Sequence, residues 1–173
     1  MNDRAAHVLD AAVRVLATQG ARGLTHRSVD TAAALPEGST SNLFRTRRDL
    51  VAAVVEGILE RDRTRLHAAS AAAPASLGAL ASAFVSATLR DARDDVRARA
   101  ALLMDPDASA LRTAREDFLS DGDAPTRPVE RDTQRLVVAF IDGALLDAAV
   151  NDAPHDPARL ARMIDLALGV QTP

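Results

Sequence analysis

A chain of 173 residues, 47% of them apolar and 26% charged, is long enough for one good core or two small packed subdomains, and this composition excludes disorder. It has no cysteine, which excludes disulfides and thiolate chemistry, and its net charge of −3 gives no global attraction to nucleic acid. The N-terminus lacks the basic-then-apolar pattern of a secretory signal, and no apolar run approaches the roughly 18 residues of a membrane span, so the expectation is a cytoplasmic protein with no membrane partner.

Alanine dominates the apolar share, aromatics are only 2%, and no useful strand-like alternation occurs, so the predicted class is all-α with about nine helices. The first helix spans 3–19, with Val8, Leu9, Ala12, Val13 and Leu16 on one stripe and Gly20 suited to its stop. Thr25 is a good N-cap for a second helix to about Ala34. Pro36 is disfavoured inside a helix but favoured at its first turn, so it starts a short third helix over 37–44. Gly38, Ser39, Thr40, Ser41 and Asn42 give that helix a small, polar surface that packs poorly but can approach a base-pair edge, while Phe44 anchors it. Thr46 caps a fourth helix with Asp49 in a capping-box arrangement, and Leu50, Val51, Val54, Val55 and Ile58 make its apolar face as far as about Ala72.

Further helices are expected over 75–92, 93–104 and 107–120, followed by a loop over 121–128. The most apolar run, 136–150, then leads through a second loop at 151–157 to a last helix over 158–169. The layout of residues 24–50 is that of a helix-turn-helix, whose second helix lies in the DNA major groove. The expected division is a three-helix DNA-binding domain over 1–46 and a helical sensing and dimerisation domain over 47–173.

Charge is divided unevenly along the chain. Residues 1–50 hold seven Arg against five acids, net +2, and residues 51–173 hold fourteen Arg against nineteen acids, net −5. Arg45, Arg47 and Arg48 follow the small polar helix, and arginine suits bidentate phosphate contact. An enzyme would need a constellation, and none is legible. His7, His26, His67 and His155 are scattered, no metal-ligand spacing or phosphate-cradling glycine loop occurs, and no catalytic residue, cofactor or metal is expected.

The stretch GLTHRSVDTAAALPEGSTSNLFRTRRDLVAAVVEGI, with the helix ahead of it, resembles the N-terminal domain of the TetR family of transcriptional regulators. The resemblance covers about residues 3–58 and rests on Gly-Leu-Thr at the second helix, Gly-Ser-Thr at the third, Phe44, and a basic residue three positions later. It implies that Thr25 and Arg47 contact phosphates, that Arg27 reaches a base or phosphate, and that Glu37, Ser39, Thr40, Ser41 and Asn42 face DNA. Asn42 suits direct readout, because its amide can pair bidentately with adenine. His26, Gly38, Leu43 and Arg45 complete the expected DNA-contacting set. Leu43 and Ser41 depart from the family, which usually has aromatic residues there; leucine cannot donate to phosphate.

The resemblance further implies a homodimer on a palindromic double-stranded DNA operator, a repressor function and a small-molecule effector. Val138, Ile141, Leu145, Leu146, Leu160, Met163, Ile164 and Leu168 are the expected dimer residues, with Gly143 allowing close helix approach. Leu80, Phe84, Met104, Phe118, Phe140 and Asp142 are the expected effector lining. A helical protein–protein adaptor, or a small-molecule-binding bundle without DNA, is the alternative.

Overall fold

The computed structural model describes residues 3–72, 74–109, 111 and 130–169. Helix α1, Asp3–Gly23, forms because Val8, Leu9, Ala12, Val13, Val15 and Leu16 recur at helical spacing, and all are buried. Gly20, at φ 71° and ψ −176°, breaks its backbone where the sequence sets the stop, in a region that only glycine occupies without strain. Helix α2, His26–Ala32, begins in a capping box in which the Thr25 hydroxyl accepts from the Ser28 backbone N–H and the Ser28 hydroxyl accepts from the Thr25 N–H. The chain leaves α2 through Ala34, a non-glycine residue at φ 52°.

Helix α3 is the five-residue segment Ser39–Leu43, and its N-cap, Gly38, sits at φ 91° with no side-chain cap of its own. Helix α4, Arg47–Ala71, is entered through the expected reciprocal cap, Thr46 N–H to Asp49 and Asp49 N–H to the Thr46 hydroxyl. Helices α5, Leu77–Asp91, and α6, Arg93–Leu102, follow, and a 3-10 turn at Pro106–Ala108 starts where the sequence predicts a helix over 107–120. Most of that predicted helix, and the loop over 121–128, lie outside the described residues. Helices α7, Arg131–Val150, and α8, Pro157–Ala167, complete the all-α architecture, eight α-helices among the described residues.

Two compact units emerge, and the division differs from a cut at residue 46. One comprises the chain up to Glu60 together with the segment from Asp94; its core contains Val8, Leu16, Leu24, Val29, Leu50, Val51, Ile58 and Leu102. The other comprises Arg61–Arg93 and the chain from position 130, with Leu80, Phe84, Val85, Leu145 and Ile164 fully or almost fully buried. Helix α4 carries residues of both units. In the second unit α5 packs on α7 and α8. The approach to α8 is close because Gly78 has no Cβ, which would fall on the Ala161 carbonyl and the Asp165 carboxylate. Asp165 is buried there, accepting from the Ser76 hydroxyl at 2.7 Å and the Gly78 N–H at 2.9 Å, so it fixes the start of α5.

Candidate nucleic-acid interface

Helix α3 is too short to be stable alone, so its position is set by groups outside it. The main one is Asp30 on α2, which is 3% exposed. Its carboxylate accepts from the Gly38 N–H at 2.8 Å, the Thr40 N–H at 2.7 Å and the Thr40 hydroxyl, and so acts as the cap that Gly38 lacks. Burial pushes the Asp30 carboxyl up, but the Thr40 hydroxyl, the two backbone N–H groups and nearby His26 together hold it below the ordinary value of 3.8. At the other end of α3, His26 Nε2 lies 2.8 Å from the Phe44 carbonyl oxygen, which puts the ring proton on that nitrogen. Arg4 on α1 donates to the Ser39 hydroxyl at 3.1 Å. The helix-turn-helix is thus closed by polar contacts from both preceding helices.

These contacts divide the expected DNA-contacting residues. Thr40 and Ser39 are buried and face inward, on Asp30 and Arg4. Gly38 supplies the turn, and the half-buried Ser41 hydroxyl donates to the Gly38 carbonyl at 3.0 Å. Glu37, Asn42 and Leu43 point outward, Leu43 being 37% exposed. Thr25 is exposed at the start of α2, where its hydroxyl already takes part in the cap. The side chains of Arg27, Arg45 and Arg48 are exposed and make no hydrogen bond or ion pair with other described residues.

Arg47 is different. One terminal nitrogen donates to Asp105 at 3.2 Å and Asp107 at 2.9 Å; the other donates to Asp105 and to the Ala21 carbonyl at 3.0 Å. The hydrogen bonds to Asp105 raise the Arg47 pKa against the opposing effect of burial. The same contact, helped by the Asp107 N–H, holds the Asp105 carboxyl below its ordinary value against burial, which raises it. Sequence reading missed Asp30, Asp105 and Asp107. The signal for Asp30 is an acid eight residues ahead of a glycine N-cap that has no side chain to cap with; nothing local marks the other two.

In the second unit Leu80 and Phe84 are buried and Phe140 and Asp142 half-buried, whereas Met104, in the first unit, is 93% exposed and Phe118 lies outside the described residues. Of the expected dimer residues, Val138, Ile141, Leu145, Leu160 and Ile164 are buried inside their own chain, Leu146 and Leu168 are half-buried, and only Met163 is well exposed, at 45%. Leu136, Val150 and Leu166 of the same two helices are exposed as well, the last 73%. Gly143 is exposed, and a Cβ on it would meet nothing. No helix among the described residues is long and apolar enough to cross a membrane, and none of their His, Asp and Glu side chains form a group that could hold a metal ion.

No family model and no curated protein matches the sequence. Solved structures do match along nearly the whole chain. A TetR-family member from Streptomyces coelicolor A3, SCO1917, superposes with a TM-score of 0.76 at 27% identity, covering 95% of this chain and 98% of that one. The multidrug binding protein EbrR, solved with imidazole, gives a TM-score of 0.73 at 26% identity over 100% of this chain and 93% of its own. A TetR-family regulator from Rhodococcus sp. shares the fold at 17% identity, with a TM-score of 0.68 over 98% of both chains.

Proposed function

We propose that this chain, which belongs to the TetR family of transcriptional regulators, represses by binding a two-fold-symmetric operator as a homodimer and is released by a small molecule. The observation that carries the reading is exposure in the first unit: a short helix fixed by Asp30 presents Asn42 outward, and Arg27, Arg45 and Arg48 of the same unit are exposed. Asn42 supplies base readout and the arginines hold phosphates. This local basic face outweighs the chain's net charge of −3 at the scale of a groove.

The dimer reading is supported by a stripe on α7. Leu136, Ala139, Gly143, Leu146 and Val150 recur at alternating spacings of three and four and are exposed or half-exposed, and α8 adds Met163 and Leu166. That stripe lies on the side of α7 away from the buried Val138, Ile141 and Leu145, and of the residues the sequence suggests it retains Leu146, with Met163 on α8. The likeness to a multidrug binding protein supports an effector site in the second unit, where Phe84, Leu80, Phe140 and Asp142 are its candidate lining. Such a protein works in the cytoplasm on DNA and needs no catalytic group. Ligand and DNA oppose each other when both bias one element, and α4, which carries residues of both units, suits that part.

Footprinting on the DNA flanking the gene tests this. A protected, two-fold-symmetric site that disappears as salt rises is expected. Asn42→Ala should relax base preference at one position in each half-site. Absence of any protected site at low salt would overturn the reading.

A further inference from the structure

Arg47 occupies the position where the resemblance implies a phosphate contact, yet its surroundings supply anions from the chain itself. All four hydrogens on its two terminal nitrogens are engaged, by Asp105 twice, by Asp107 and by the Ala21 carbonyl. Asp105 is almost fully enclosed, its side chain 6% exposed, and it is further fixed by the Asp107 N–H at 3.0 Å. Withdrawing Arg47 toward a phosphate would leave that enclosed carboxylate without its counter-charge, the arrangement most costly to create. The neighbouring Arg45 and Arg48 are exposed and carry no such commitment among the described residues.

We propose that Arg47 is a positioning residue and not a phosphate ligand. Its guanidinium clasps the end of α1 through Ala21 and the turn after α6 through Asp105 and Asp107. This sets the first turn of α4, and with it Arg45, Arg48 and the exit from α3 at Phe44. The reading head is therefore completed by residues 58 and 60 positions further along the chain. The inference rests on the DNA-binding reading above.

The test uses the full-length chain and a duplex that the wild type enriches from a random-sequence pool, with affinity measured over a series of KCl concentrations. Arg47→Ala and Asp105→Asn should each weaken binding about tenfold, about 1.4 kcal/mol, at an unchanged salt slope. The double variant should be no weaker than either single one, because both break the same contact. Arg47→Lys should fail to restore affinity, since an ammonium cannot reproduce the fork. Asp107→Asn removes one of the four bonds and should weaken binding about two- to threefold, which serves if Arg47→Ala does not fold. The proposal is overturned if Arg47→Ala takes about 0.9 off the slope per protomer while Arg47→Lys restores binding, or if Asp105→Asn or Asp107→Asn leaves affinity unchanged or raises it. A wild type that enriches no duplex sinks the DNA-binding reading itself.

Discussion

Replacing Asp30 by Ala removes the acceptor of three hydrogen bonds at once and tests whether α3 is held from α2. Asp30 is 3% exposed, and its partners are the Gly38 N–H, the Thr40 N–H and the Thr40 hydroxyl. Charge-assisted hydrogen bonds are worth about 1.5–3 kcal/mol each, but relief of the buried carboxylate's desolvation offsets much of their sum. Asp30→Ala leaves these neutral donors without their acceptor, at about 1–3 kcal/mol for each one that stays buried and unsatisfied, so the expected net loss is about 3 kcal/mol. For a chain of this length that corresponds to a fall in Tm of about 6–12 °C. Thr40→Val removes only the hydroxyl, leaves both backbone bonds, and should cost about 1 kcal/mol. Urea unfolding followed by circular dichroism measures both, and hydrogen exchange at the Gly38 and Thr40 amides assigns the change to the first unit. The reasoning fails if Asp30→Ala lies within about 0.5 kcal/mol of wild type, or if Thr40→Val costs as much as Asp30→Ala.

Ala34, at φ 52°, carries left-handed strain of about 1–2 kcal/mol, against about 0.4–1 kcal/mol of extra unfolded-state entropy for glycine, so Ala34→Gly should raise the urea midpoint. A lowered midpoint would contradict the strain. Asp30 and Asp105 both have carboxyl pKa values depressed below 3.8 in the fold, so the unfolded chain binds protons first as pH falls. The stability they contribute is complete above the unfolded value and is lost as pH drops through 3.8 toward the folded values; a pH series of urea midpoints should fall there, and less steeply for the Asp30→Ala protein. Leu166→Glu places a charge on the most exposed apolar group of α8 and should yield a monomer in sedimentation velocity without lowering helicity. A persistent dimer would place the seam elsewhere.

Most of the helix punctuation was legible because it is local. The Thr25 N-cap, the Thr46–Asp49 cap and the Gly20 stop each depend on residues within a turn of one another, and they stand where the residue types put them. The face that α7 turns inward was less legible. Leu136 to Val150 is apolar on nearly every side, so periodicity alone cannot say which stripe meets α5 and which stays uncovered.

Sequence by itself determined the helical class, the helix-turn-helix and the resemblance to the TetR family, all from patterns contained within short stretches. Only the tertiary structure decided which of those residues remain available. It turns Thr40 inward onto Asp30, and it gives Arg47 to Asp105 and Asp107, acids 58 and 60 residues away. The physical reason is that a charge's partner is fixed by distance in space and by what burial leaves uncompensated, and neither is encoded in the spacing of the residues around it.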